Sequence, residues 1–433
     1  MAPHVGLWWF LAATGTLAQL SITDDRTTRT DFTLSLSQTT AATSLYQSFG
    51  TQITQDASVV DNATRPGGIR ASPTNTVTFL TGSAAATSHS GNASSTISPA
   101  DESANTQPCN NYVEFCSRQY SNITEVSTHN SPFITPKNIA ANQQYDVIQQ
   151  LDDGVRFLQA QIQWPGNATD PHFCHTSCDL LDAGPISDWL RTVKKWVVEH
   201  PFDVVTILLG NGNYSDPALY APHIEHSGIL KYVYQPPYIP MNSTTWPPLS
   251  EMILSSQRVV MFIDYMANQT AFPWLMDQFT HMWETPFDPT NNSFPSTIER
   301  PPGLSVDDAK TRLSLMNHNL NIQLSVLGTE LLIPARSELN ITNNATGAGS
   351  LGNSANNFLE KWGRPPTFLN VDYYNYGGYP GSVFEVAAQM NNVTYRRPCC
   401  GPRVKNSGLT VHTDARAGVA YSVALVALIW ALL

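Results

Sequence analysis

The stretch from Ile186 to Leu209 reads ISDWLRTVKKWVVE, then HPF, then DVVTILL. Its first part places Trp189, Leu190, Val193, Trp196 and Val197 on one face at helical spacing, and His200-Pro201 ends it. Its second part, Asp203–Leu209, is an apolar run closed by Gly210-Asn211-Gly212, which reads as a fully buried strand. A helix that feeds directly into such a strand is the repeating unit of a parallel α/β sheet.

Working outward, the same alternation recurs. Upstream lie strand candidates at Asn122–His129, Val155–Trp164 and the short His172–His175, with a helical pattern at Ala140–Leu151 that Asp153-Gly154 terminates. Downstream, Ile229–Tyr234 is weakly apolar and Leu249–Leu254 reads as a short helix. Arg258–Tyr265 reads as a strand, Leu275–Trp283 as a helix and Leu313–His318 as a strand. Ala355–Trp362 is a helix, Thr367–Tyr374 the last strand and Val383–Met390 its closing helix. Seven or eight strands alternating with helices predict an α/β fold, a TIM-type (β/α)8 barrel, regular or distorted, over residues 108–400.

In such barrels functional groups stand at the carboxyl ends of strands. His129, His175, Asp264, Asn317, His318 and Asp372 all fall at such ends. The two histidines lie in Ser127-Thr128-His129-Asn130-Ser131-Pro132-Phe133 and Phe173-Cys174-His175-Thr176-Ser177-Cys178. Facing imidazoles suit a phosphodiester, because one can take a proton from a nucleophilic hydroxyl while the other protonates the leaving oxygen. A lone histidine at a strand end is ordinarily a hydrogen-bonded loop residue, and His318 reads equally as pocket lining or as a brace. Trp164, Tyr265, Tyr373 and Tyr374 could stack on a sugar ring or simply pack. Asp182 reads as a turn residue or the start of a helix. Gly210-Asn211-Gly212 lacks the spacing and the Lys-Ser/Thr pair of a phosphate loop.

Composition points outside the cell. Charged residues make up 13% of the chain and the formal net charge is −11, which excludes a basic nucleic-acid surface. Residues 1–18 contain the apolar run Gly6–Ala13 followed by small residues, as in a secretory signal peptide. Residues 19–107 are more than one-third Ser and Thr and read as a disordered, O-glycosylated stalk, with Phe32–Ser37 as an isolated strand candidate. Eleven Asn-X-Ser/Thr sequons agree with secretion. Residues 401–433 combine the small trio Asn406-Ser407-Gly408, a polar spacer and an apolar tail from Ala417. This is a GPI-attachment pattern with Asn406 as the acceptor. The chain is expected to be a monomer held to a membrane by that anchor. Six cysteines suit disulfides in this setting, and a local Cys174–Cys178 bridge would stiffen the loop that carries His175.

Together, the Thr-His-Asn-Ser stretch, the Asp152–Phe157 start of a strand, the Cys-His-Thr-Ser-Cys stretch, Pro201–Asn211 and Val371-Asp372-Tyr373-Tyr374 resemble the PLC-like phosphodiesterase superfamily. This is the group that includes phosphatidylinositol-specific phospholipase C X domains, and the similarity is strongest to its secreted, GPI-anchored fungal branch. The resemblance implies a distorted TIM barrel that cleaves the phosphodiester of a phospholipid or glycophospholipid by attack of an inositol 2-hydroxyl on phosphorus. It implies His129 as general base, His175 as general acid and Asp372 as the carboxylate orienting His129, with Asp264 as second choice. Asn130, Gln159, Gln161, Asp264, Asn317, His318 and Tyr374 are the expected substrate-binding residues. The chain departs from the family at three of these positions. Gln161 stands where metal-independent members carry an arginine, Gln159 and Gln161 where calcium-dependent members carry carboxylates, and Asn130 where metal-independent members carry aspartate. No metal or other cofactor is therefore expected. Arg156, an odd number of residues from both glutamines, should lie on the opposite face of its strand.

Overall fold

The structure, a computed structural model, describes residues 53–54, 105–134, 138–166, 168–326, 329–378 and 381–401. The signal peptide, Phe32–Ser37, most of the Ser/Thr-rich segment and the chain beyond 401 lie outside the described residues. Within that segment, Ile53–Thr54 pairs antiparallel with Tyr238–Ile239.

Eight strands form the barrel wall. They are β1 (Glu125–Thr128), β2 (Phe157–Gln163), β3 (Val205–Gly210), β4 (Val259–Ile263), β5 (Leu275–Asp277), β6 (Met282–Glu284), β7 (Leu313–Asn317) and β8 (Phe368–Val371). They pair in the order β6-β7-β8-β1-β2-β3-β4-β5, parallel throughout. Among the described residues no ladder joins β5 to β6, so the barrel is curled but carries a seam. The fold is a distorted TIM-type α/β barrel.

Three elements differ from the sequence expectation. The segment Leu275–Trp283, expected as one helix, is β5, a single helical turn Gln278–His281 capped by Asp277, and β6. Every one of its residues is buried, and an apolar run buried on all sides carries no periodicity to separate strand from helix. The strand His172–Cys174 is not a barrel strand. It runs antiparallel to β2 and to Asp182–Pro185, forming a flap over the barrel end, and Asp182 is a strand residue whose carboxylate accepts from His172 Nδ1 at 2.8 Å. The helix expected at Ala140–Leu151 begins only at Val147, where Asp146 caps it by accepting the N–H of Gln149. The backbone before it is committed elsewhere: Asn142 and Gln143 donate to the carbonyl of Phe133, and the carbonyl of Asn142 accepts from Tyr373.

Alternation along the strands sorts the barrel interior into layers. Towards the amino ends the inward residues are apolar, with Phe157, Leu208, Phe262, Met282, Leu315 and Phe368 in one buried cluster and the Phe157 and Phe368 rings 4.4 Å apart. Two residues further along, the same face turns polar at Gln159, Asp264, Glu284, Asn317 and Asn370, while β3 reaches Gly210. A second apolar layer fills the space between the wall and the outer helices. There Ile186–Glu199 buries Ile186, Leu190, Val193, Trp196 and Val197, and Leu351–Trp362 buries Phe358 and Trp362.

The short strand β6 depends on that outer layer. Trp283 is fully buried, lies 4.5 Å from the Trp362 ring and 5.6 Å from Phe358, and donates its indole N–H to the Ala309 carbonyl. Trp283→Ala should destabilise the fold by about 3–5 kcal/mol through the cavity it leaves. Urea unfolding followed by circular dichroism will measure the loss.

Candidate active site

His129 directly follows β1 and Asp372 directly follows β8, and the parallel pairing of these strands sets the two side by side. His129 Nδ1 lies 2.8 Å from Asp372 Oδ1. A carboxylate can only accept, so Nδ1 carries the proton and Nε2 is left as the acceptor that a general base requires. The pair is held by its surroundings. Asn142 Nδ2 donates to Asp372 Oδ1 at 2.9 Å, Asn343 Nδ2 donates to the carbonyls of Asp372 and Tyr373, and Gln143 Nε2 donates to the carbonyls of His129 and Val371. Asn319 Nδ2 lies 3.4 Å from the imidazole. The residues Ala140–Tyr145 are non-helical because they deliver Asn142 and Gln143 to this point.

The flap delivers the second histidine. His175 follows Cys174, its N–H donates to the Leu181 carbonyl, and the Cys174–Cys178 disulfide closes the loop around it. The Thr176 hydroxyl lies 3.1 Å from His175 Nδ1, and the ring meets Phe133 edge-on at 5.2 Å. Phe133 belongs to the loop after His129, so the two histidines are brought to one end of the barrel.

The electrostatics of the two imidazoles diverge. Burial opposes a charge on His129, but the charge and hydrogen bond of Asp372, with Asp288 and Glu284 further off, outweigh it and raise its pKa. Among the described residues His175 has no carboxylate partner. Burial first, and then the charge of His129, push its pKa down to about 3. The shifts are opposite, so whenever the pair shares one proton it rests on His129 and His175 is neutral.

Below the histidines runs a hydrogen-bonded chain across the barrel. Ser127 donates to Asn370 Oδ1, and Asn370 Nδ2 donates to Asn317 Oδ1 at 2.9 Å and reaches Gln159 Oε1 at 3.3 Å. Asn317 Nδ2 donates to Glu284 Oε2, which also accepts two N–H groups from Arg300, while Gln278 donates to Oε1 across the seam. Arg300 lies 3.9 Å over the Phe287 ring. Asp264 accepts the N–H groups of Asn211 and Tyr265 through Oδ1, and burial raises its carboxyl to about 6 despite them.

The expected binding residues thus divide. Gln161 is part-buried at the mouth, above Gly210, where an added Cβ would stand 3.2 Å from its Cγ. Gln159, Asn317 and Asp264 belong to the polar layer beneath. Asn130 is buried at φ 50° beside His129 with its Oδ1 unpartnered. Two expectations fail. His318 is a brace, 1% exposed, with Nε2 against the Thr342 carbonyl at 3.0 Å and its ring 3.7 Å from Phe294. Tyr374 points outward into the core, where its hydroxyl donates to Asp153 at 2.6 Å and its ring packs on Phe384. Strict alternation from Asp372 would turn Tyr374 inward, but Tyr373 at φ 44° breaks the alternation. Arg156, as expected, is remote: it pairs with Asp203 at 2.8 Å and stacks on Trp196 at the start of β2. Sequence reasoning missed Asn142, Asn319, Asn343, Asp288 and the Glu284–Arg300 pair. All but Glu284 sit on loops, where no periodicity marks which side chains turn inward. Among the described residues no group of three or more His, Cys, Asp or Glu side chains is arranged to hold a metal ion.

The PI-PLC X domain profile (PI-PLC X 1) matches residues 115–391, and the chain belongs to this family. It is 36% identical to PI-PLC X domain-containing protein 1 of Arthroderma benhamiae over 287 residues, covering 66% of this chain and 90% of that one. It is 48% identical to a secreted protein of the same organism over 316 residues, covering 73% and 71%. Among solved structures it is similar to the phosphatidylinositol-specific phospholipase C of Listeria monocytogenes, with 12% identity, 63% and 94% coverage and a TM-score of 0.41.

Replacing Asp372 by Asn keeps a hydrogen-bonding side chain but removes the charge. Burial is then unopposed by its nearest carboxylate, so the His129 pKa should fall below its wild-type value. NMR titration of the histidine ring protons will show the downward shift, with His175 moving little.

Proposed function

We propose that this chain is a phosphodiesterase that cleaves a phosphoinositide or related glycophospholipid by proton transfer between His129 and His175, without calcium. The observation that carries the proposal is the Asp372–His129 hydrogen bond together with a second histidine, His175, near enough for the charge of His129 to lower its pKa. In this reaction His129 Nε2 accepts the proton of an inositol 2-hydroxyl as its oxygen attacks phosphorus. The bond from phosphorus to the lipid oxygen breaks, and His175 supplies the proton that oxygen needs.

The resting protonation is the reverse of what these roles need, since His129 holds the proton. A phosphate anion placed between the rings favours charge on His175, so the active form becomes accessible on substrate binding. Charge developing on the phosphate oxygens is met by neutral donors at the mouth, chiefly the Gln161 amide, where related metal-independent sites are read as having an arginine. A weaker catalyst results. The same substitution supports a second reading, in which the barrel binds a cell-surface glycophospholipid without turning it over.

The family membership and the secreted relative support a place outside the cell. The anchor at Asn406, the signal peptide at 1–18 and the monomeric state belong to the proposal, and so does N-glycosylation at the eleven sequons.

The one-proton form of the histidine pair exists between about pH 3 and the raised value of His129. Turnover should therefore hold through mildly acidic pH and fall as pH climbs past the His129 value, where both rings are neutral. Phosphatidylinositol hydrolysis in the presence of EDTA, followed across pH, tests this. His129→Ala and His175→Ala should each lower the rate by about 10²–10⁴-fold. A folded wild-type protein that binds the lipid but releases no headgroup at any pH would establish the binding reading instead.

A further inference from the structure

The pairings at the barrel mouth leave one carboxylate over. Asp372 is matched by His129 and Glu284 by Arg300, each through direct hydrogen bonds. Asp264 accepts two backbone N–H groups. Asp288, on the loop after β6, is part-buried and has no hydrogen-bond or ion-pair partner among the described residues.

Its place is nevertheless fixed. The preceding Phe287 donates its N–H to Glu299 Oε2 at 2.8 Å and carries Arg300 3.9 Å above its ring. The following Pro289 accepts the N–H of Asn321, the first residue of a two-stranded ribbon in which Asn321–Val326 pairs antiparallel with Thr329–Pro334. Asn319, two residues before that ribbon, lies beside His129. Asp288 is thus held within reach of His129, and the charge of each acts on the other. Burial raises its pKa against the pull of His129 and Arg300, so its carboxylate has lost solvation that no protein group replaces.

A second observation does not depend on charge. Around His129, the oxygens Asp372 Oδ2, Asn130 Oδ1, Asn142 Oδ1 and Asn319 Oδ1 have no hydrogen-bond partner among the described residues. All four residues are no more than 2% exposed. Asn142 is fixed in its orientation, because exchanging its amide ends would turn its oxygen onto Asp372 Oδ1. Each of these atoms accepts and none donates. Buried polar groups are ordinarily paired, so a ligand that completes this mouth brings donors. The phosphate of a diester brings only acceptors, which leaves the donors to its headgroup.

The chemistry of that headgroup follows. A phosphodiester adds a negative charge to a mouth that offers Gln161 in place of a cation and no ion-paired lysine or arginine at Asp264 or Asp288. Arg336, on the loop after β7, is turned to the Asn138 carbonyl and the Tyr373 ring. Further phosphates on the headgroup would add to the repulsion. Hydroxyls would supply donors without charge, whereas an ammonium supplies three donors and the balancing charge on one atom. The attack uses an inositol hydroxyl, so the amine belongs to a substituent of that ring.

We propose that Asp288 determines the specificity of this mouth by taking the ammonium of a primary amine on the headgroup. It thereby selects an inositol phosphodiester bearing an amino sugar over phosphatidylinositol and its phosphorylated forms. This names the headgroup within the phosphodiesterase reading and rests on that reading for the bond that is cleaved.

The test uses the full-length chain in mixed micelles with EDTA. Its substrates are glucosaminyl-phosphatidylinositol, the N-acetylated form of the same lipid, phosphatidylinositol and phosphatidylinositol bisphosphate. Acetylation removes the charge and keeps the sugar. The kcat/KM for the free amine should exceed that for the acetylated form by about tenfold or more, through KM, with the bisphosphate slowest. Asp288→Asn should bring that ratio below about twofold whatever its absolute rate, and Asp288→Glu should restore a clear preference for the amine. Equal kcat/KM for amine and acetylated lipid in the wild type would overturn the proposal. So would a ratio unchanged in Asp288→Asn, which would leave Asp288 as a part of the field around His129 only. If the wild type cleaves none of the four, the catalytic reading fails, and calorimetric binding of the water-soluble glucosaminyl-inositol phosphodiester decides the ammonium site. Binding tighter than that of its acetylated form and lost in Asp288→Asn supports the site, and equal binding of the two forms sinks it. Binding of glycerophosphoethanolamine as tight as that of the glucosaminyl compound would overturn the amino-sugar assignment.

Discussion

The hydrogen bond between Asp372 and His129 joins the first strand of the barrel to the last, across 243 residues of chain. It can form only if β8 lies parallel to β1 in the observed register, with Val371 opposite Thr128. Everything between the two strands must fold to make that pairing possible. A slip by one residue would turn Asp372 away from the imidazole and reverse the inward and outward faces of β8. The loops that cross the barrel mouth reinforce the same point, since Asn142, Gln143 and Asn343 all donate to groups within one residue of the contact.

The polar layer beneath explains how a barrel with an open seam holds its shape at the functional end. Ser127, Asn370, Asn317 and Glu284 come from four consecutive strands of the sheet, and each is tied to the next. Gln278 bonds Glu284 from the far side of the seam, where no backbone ladder does so. Buried carboxylates and amides are costly unless satisfied, and here they are satisfied by one another. The Glu284–Arg300 pair is the charged end of that chain. Its cation is matched by a carboxylate it contacts directly.

Much of the fold was legible because its strands announce themselves. Asp203–Leu209, Arg258–Tyr265 and Thr367–Tyr374 are apolar runs bounded by turn residues, and each holds a barrel strand. The helix at Leu249–Leu254 and the one at Val383–Met390 carry their stop signals locally. Leu275–Trp283 was not legible, since a fully buried segment has no polar face to reveal its period. The ribbon of Asn321–Val326 and Thr329–Pro334 was missed for a different reason: with few turn residues to bound them, its strands blended into a long insertion.

The sequence by itself determined the alternation of strands and helices, the placing of His129, His175 and Asp372 at strand ends, and the absence of an arginine at position 161. These follow from local pattern and residue chemistry. Only the tertiary structure decided which of the strand-end residues meet. Asp372 reaches His129 while His318 turns away to Thr342, and Tyr374, two residues after Asp372, leaves the barrel altogether. The reason is that a side chain's direction past the last paired residue depends on single backbone angles, such as the positive φ of Tyr373, and on which loops pack over it. The opposite pKa shifts of the two histidines are tertiary for the same reason, because burial and a carboxylate 2.8 Å away are properties of a place and not of a residue type.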